Sequence, residues 1–158
     1  WINPNVHAAA GSLMDTRGGG VLGYLIRYGP DNSIEVGINA AGTLGVDDAL
    51  TVADVCVVST WQHLACVVKG SASIAVYVNG AAVAQTGTGL LTQSATPAPT
   101  VTCEVGSRET DLTRMYNGKA DDMRLYGYAL SAAEVLAIYN ATKTAPRIPG
   151  YTSMQGVG

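Results

Sequence analysis

Retaining hydrolysis of a glycosidic bond needs two carboxyls held roughly 5 Å apart, so the acidic residues are where such chemistry would first show. Glu35 and Glu104 each stand singly in an apolar run, and Asp121 and Asp122 are adjacent. On a strand, adjacent side chains point to opposite faces. The pair therefore reads as structural, one Asp accepting hydrogen bonds from loop backbone and the other pairing with Arg124. A Ser-His mechanism would have to use His7 or His63, and no G-x-S-x-G elbow accompanies either. Gly18-Gly19-Gly20-Val21-Leu22-Gly23 satisfies G-x-G-x-x-G. A strand pattern follows it rather than a helix, which makes it a hairpin loop instead of a phosphate cradle. Cys56, Cys66 and Cys103 lack C-x-x-C spacing. Each lies in a Val-rich run and reads as a small buried hydrophobe; the sharper alternative is a Cys56–Cys66 disulfide across adjacent strands, which would indicate an oxidising compartment. What remains for function is the loop from Ser107 to Asn117. There Tyr116, Asn117, Arg108 and Asp111 can offer an aromatic face to the C–H surface of a sugar and polar groups to its hydroxyls. No catalytic residue is expected.

The elements that would position these groups are mostly strands. Short apolar runs rich in Val, Ile, Tyr and Thr, punctuated by Gly, Asn, Asp or Pro, recur in the pattern of an antiparallel β-sandwich. Strands are predicted over Leu13–Arg17, Tyr24–Tyr28, Ser33–Ile38, Val55–Val58, His63–Val68, Ile74–Val78, Ala82–Gln85, Val101–Gly106 and Ala120–Tyr126. Asn79-Gly80 directly follows Ile74–Val78 and predicts a type I′ hairpin, since both residues tolerate positive φ. One helix is predicted over Ala129–Asn140, with Ser131 as N-cap, Glu134 closing a capping box and Leu130 with Val135 as a hydrophobic staple. Gln85–Thr100 reads as a long surface loop. After Lys143 two prolines and no periodicity predict a tail or linker. The expected organisation is one domain over residues 1–142 and a tail over 143–158.

Composition narrows the function classes. The 158 residues suit one domain, and 47% hydrophobic against 13% charged residues exclude disorder. The net charge is -3, with Lys and Arg scattered singly, so no basic stripe awaits a nucleic acid. The apolar stretches fall far short of the roughly 20 residues a membrane helix needs. Trp1 stands where an initiator Met would be, which marks the chain as a processed product, an excised piece or part of something longer.

The order of motifs carries a resemblance. Trp61-Gln62-His63-Leu64-Ala65, then Val76-Tyr77-Val78-Asn79-Gly80, then Asn117-Gly118-Lys119-Ala120-Asp121-Asp122-Met123-Arg124-Leu125-Tyr126, then Ala129-Leu130-Ser131-Ala132-Ala133-Glu134-Val135 resemble, in this order, the laminin G-like, concanavalin A-like jelly-roll modules. The resemblance runs from Trp1 to Tyr139. It implies an all-β antiparallel jelly roll with one short C-terminal helix. It also implies that His63 is a packed strand residue beside a core Trp61, and that Trp1-Ile2-Asn3-Pro4 ends an early strand. Family members carry one or two strands before this Trp. Their absence implies truncation, or a sandwich edge completed by the Pro-rich tail or by a neighbouring subunit. Glycosidases of this fold use E-x-D-x-E on one strand, which is absent here. Relatives that bind calcium do so at a rim through carboxylate and carbonyl oxygens. Asp47, Asp48 and Asp54 form the densest acidic loop and are the calcium candidates, read foremost as solvated surface acids; otherwise no cofactor is expected.

The resulting expectation is a non-catalytic module that binds glycan or another surface ligand, within an extracellular, cell-surface or virion-surface protein. The alternative is a structural or assembly subunit of a virion, tail or surface filament, which would self-associate. A glycoside hydrolase comes third. Neither nucleic acid nor membrane insertion is expected.

Overall fold

The computed structural model describes residues 1–16, 23–39, 48–69, 73–86, 103–107 and 114–145. Ten strands and one helix follow in chain order among these residues: β1 (Ile2–Pro4), β2 (Gly11–Asp15), β3 (Gly23–Tyr28), β4 (Ile34–Asn39), β5 (Asp48–Leu50), β6 (Leu64–Lys69), β7 (Ser73–Val78), β8 (Ala81–Ala82), β9 (Glu104–Val105), β10 (Gly118–Ala120) and α1 (Ala132–Thr142). The larger sheet has the order β5-β4-β3-β2-β9 and the smaller β6-β7-β8. Strand β1 pairs with β10 and makes a bridge from Ile2 to Gln62, just ahead of β6. All named strand pairs are antiparallel. The expected antiparallel β-sandwich with one short C-terminal helix is the architecture observed.

Alternation builds the core. In β7, Ile74, Val76 and Val78 are buried while Ser73, Ala75 and Tyr77 are half-buried. The buried set packs with Tyr28, Ile34, Val36 and Ile38 of the larger sheet, and with Ile2, Leu13 and Cys56, as expected when each sheet turns one face inward. The β7–β8 turn is Asn79-Gly80 with φ of 52° and 79°, both positive as a type I′ turn requires. Helix α1 covers this turn. A side chain at position 80 would meet Leu136 Cδ1 at 2.9 Å and Tyr139 Cδ1 at 3.0 Å. The helix begins as its sequence demands: Glu134 N–H donates to Ser131 Oγ (3.3 Å) and Ser131 N–H donates to Glu134 Oε2 (2.7 Å), closing the capping box. Val135 is fully buried beneath it.

Two predicted strands are corrected. Residues 55–58 are irregular because loop groups take their backbone bonds: Cys56 N–H donates to Asn32 O (3.2 Å), and Val57 N–H donates to Gln62 Oε1 (3.0 Å). Asp54 and Ser59, with φ of 57° and 59°, turn the chain on either side. The predicted 120–126 strand stops at Ala120. Asp122 has φ 50°, and no described strand pairs with the residues beyond it. Trp61 is half-buried. The tightly packed Trp is Trp1, whose ring lies 5.4 Å from His63 and 5.8 Å from Tyr139, and whose indole N–H donates to Thr142 Oγ1 (3.1 Å). His63 is buried in this aromatic group.

Candidate functional site

The Tyr116-Asn117 rim is built by three segments. His7, on the β1–β2 connection, stacks on Tyr116 (5.5 Å, 23°) and packs against Tyr28 of β3 (5.0 Å). His7 Nε2 meets both backbone groups of Asn117, lying 2.8 Å from its carbonyl oxygen and 3.1 Å from its N–H. Burial holds the His7 pKa below 6.5, against the opposing pull of backbone hydrogen bonds to Asn117 and Ala9. The neutral ring is therefore favoured. Glycine at position 11 makes room for it, since a Cβ there would come 2.8 Å from His7 Cε1 and 2.9 Å from Tyr116 Cα. Burial also pushes the Tyr116 phenol well up, and the Tyr28 phenol to about 12.

Tyr116 is consequently half-buried, wedged between His7, Tyr28 and Gly118, and its ring is not a free stacking platform. Asn117 is exposed. Its Oδ1 accepts from Asn5 Nδ2 (3.0 Å) and its Nδ2 donates to Val6 O (3.2 Å). Around this amide pair Val6 and Met115 are 75% and 55% exposed. The surface thus joins amide groups to apolar side chains on a rigid aromatic base. Arg108 and Asp111 lie outside the described residues.

The other candidates are dispersed. Asp47 lies outside the described residues, Asp48 begins β5 in backbone register with Gly37, and Asp54 Oδ1 accepts from Asn32 Nδ2 (2.9 Å). Asn32 Oδ1 in turn accepts from Tyr28 Oη (2.5 Å). Among the described residues no three His, Cys, Asp or Glu side chains stand close enough to hold a metal ion. The carboxylates read as solitary in the sequence have cross-strand neighbours. Glu35 faces Arg27 (3.4 Å), and Glu104 lies in register opposite the buried Asp15 while accepting from Ser107 Oγ (3.2 Å). Periodicity along one strand cannot reveal such pairs, because the partner comes from another strand. Asp122 receives Arg124 through Nε (2.8 Å) and Nη2 (3.0 Å), as its spacing suggested. Cys56, Cys66 and Cys103 are free thiols. Cys56 sits on the β5–β6 loop rather than on a strand, and burial raises Cys56 to about 11 and Cys66 to about 12.

A second concavity was not foreseen. A predominantly apolar cleft of about 940 Å³ opens between the sheets, lined among others by Ile26, Ile38, Leu64, Cys66, Leu125 and Tyr126. Its outer wall is the irregular segment that the sequence suggested was a strand.

Comparison with known proteins adds to this geometry. The laminin G-type family model described as the concanavalin A-like lectin/glucanases superfamily matches residues 1–136. Among solved structures the chain is similar to an S-layer domain-containing protein (residues 221–444) from Clostridium thermocellum ATCC 27405, with 20% identity and a TM-score of 0.36. That similarity covers 88% of this chain and 66% of the other, so the chain spans just under two thirds of that relative's length. No curated protein matches it.

Proposed function

The chain belongs to the concanavalin A-like lectin/glucanase superfamily in its laminin G-like form, and from that premise we propose that it is a non-catalytic binding module for a surface glycan, in an extracellular, cell-surface or virion-surface protein. The observation that carries this reading is the exposed Asn5–Asn117 amide pair beside Val6 and Met115. Amides suit sugar hydroxyls, and apolar side chains suit the C–H face. The aromatic stack beneath fixes the amides in advance, which limits the entropy lost on binding. Arg108 and Asp111 belong to the same proposed rim by sequence. No calcium is required by this reading, and Asp54 serves as a surface acid held by Asn32.

The test is a glycan array with the chain, followed by Asn117→Ala. That substitution removes an exposed side chain and should weaken binding by roughly tenfold, the loss of one or two hydrogen bonds, with the thermal midpoint nearly unchanged. Unchanged affinity would remove the site, and turnover of a polysaccharide would replace the binding module with a hydrolase.

A further inference from the structure

The His7 ring sits where one proton decides which backbone group of Asn117 it can meet. Nε2 lies 3.1 Å from the Asn117 nitrogen and 2.8 Å from its carbonyl oxygen, and an imidazole nitrogen either accepts or donates, never both. The carbonyl already accepts from Asn5 N–H (2.9 Å). Among the described residues the Asn117 N–H has no acceptor besides Nε2. The second backbone bond of the ring goes to Ala9, which suits a proton on Nδ1. A neutral ring with its proton there satisfies every group, Nε2 accepting from Asn117.

Protonation adds a second N–H, at Nε2. It would face the Asn117 N–H, donor against donor, and only the carbonyl could receive it. The ring has no room to turn aside. It is stacked on Tyr116 (5.5 Å) and packed on Tyr28 (5.0 Å), and a Cβ at position 11 would already stand 2.8 Å from its Cε1. On either side of Asn117 the chain is pinned, since Met115 bridges to Ser12 and Gly118 stands in register with Pro4. The adjustment therefore falls on the Asn117 peptide itself, whose side chain carries the amide bonds to Asn5 (3.0 Å) and Val6 (3.2 Å). Among the described residues the other titratable groups packed on the ring are the phenols of Tyr116 and Tyr28, pushed up by burial and neutral throughout. Asp31, Asp54 and Cys56 act on those phenols rather than on the imidazole. Gly11, Asn5 and Val6 bring no charge.

We propose that His7 is a positioning residue and a proton switch beneath the rim: on acidification its imidazolium releases the Asn117 N–H, the Asn117 peptide shifts, and the Asn5–Asn117 amide pair opens, so that the rim loses affinity for glycan. Binding and protonation are linked reciprocally, so a glycan that needs the closed pair also makes His7 harder to protonate. The effect on affinity rests on the reading of the rim as a glycan site. The movement of Asn117 does not.

The experiment is an NMR titration of the isotope-labelled chain, residues 1–158, from pH 8 to about pH 5. The Asn117 backbone amide and the side-chain amides of Asn5 and Asn117 should shift along the same curve as the His7 ring, with one midpoint below 6.5. Amide signals that stay in place while His7 titrates overturn the proposal, and so does a ring that stays neutral until the chain unfolds. His7→Gln should make these amide shifts independent of pH, and their persistence in that variant overturns the proposal by assigning them to another group. If the variant does not fold, the common midpoint in the unaltered chain decides alone. A glycan retained on the array at pH 8 should bind about tenfold more weakly for each pH unit below the midpoint. Equal affinity throughout overturns the switch as a control on binding. Retention of no glycan at pH 8 removes the rim reading, while the amide titration, which needs no glycan, still decides the switch.

Discussion

His7 carries a pH dependence in its contacts. Its folded pKa lies below 6.5 through burial, so between that lowered value and 6.5 the unfolded chain binds more protons than the folded one. Stability then rises with pH across this window; it is fully present above 6.5 and lost as pH falls to the folded pKa. Urea midpoints at pH 8 and about pH 5 should differ in that direction, and His7→Gln should flatten the difference. A midpoint that rises on acidification would refute the assignment. The thiols make a second residue-scale case. Cys103 is exposed, whereas Cys56 is buried and Cys66 half-buried, with pKa values raised to about 11 and 12. Cys103 is also raised, by burial and by Asp15 and Glu104, so its exposure decides. Thiolate is the reactive form, and iodoacetamide at neutral pH should label Cys103 first, Cys66 more slowly and Cys56 only on unfolding. Mass spectrometry of the labelled peptides reads this directly. The buried character of Cys56 was legible from its Val-rich surroundings, but the same reading fails for Cys103, which is exposed, and holds only in part for Cys66, which is half-buried. The stacking of His7 on Tyr116 was not, since 109 positions separate them and only the fold brings them together.

At the scale of elements, local signals were read where local physics decides. Asn79-Gly80 and the Ser131–Glu134 box each satisfy their own backbone within a few residues, and both formed as expected. Ser131→Ala removes the cap and should cost about 1 kcal/mol, seen as a drop of roughly 2–4 °C in thermal midpoint for a chain of this size. No change would mean that packing of Val135 alone holds the helix. Residues 55–58 and 120–126 show the opposite case. Their composition favours strands, but a strand exists only with a partner, and pairing is decided elsewhere in the chain. At 55–58 Asn32 and Gln62 take the backbone bonds. At 121–126 no described strand pairs with the residues beyond Asp121, and Asp122, with φ 50°, turns aside.

For the whole molecule, the helix, Trp1 and the β7–β8 hairpin close one side of the sandwich, and the Tyr116-Asn117 rim stands apart from them on the aromatic group of His7 and Tyr28. A ligand that binds only the folded state stabilises it by mass action. A glycan bound at the rim at 100 times its dissociation constant should therefore raise the unfolding free energy by about 2.7 kcal/mol, measurable in a urea titration, and Asn117→Ala should reduce that increment at the same glycan concentration. An equal increment in the variant would place the glycan elsewhere.

The pairing of β1 with β10 also has a consequence in time. Ile2 lies opposite Ala120, so the first strand waits for almost the entire domain to be synthesised before its partner exists. At typical elongation rates that delay is roughly 6–24 s. During it Ile2 has only the Gln62 bridge to pair with, and Trp1 lacks both Asp121 and the helix residue Tyr139 that later packs on its ring. The order in which the ribosome delivers these strands thus sets when this domain first becomes vulnerable to the wrong partner.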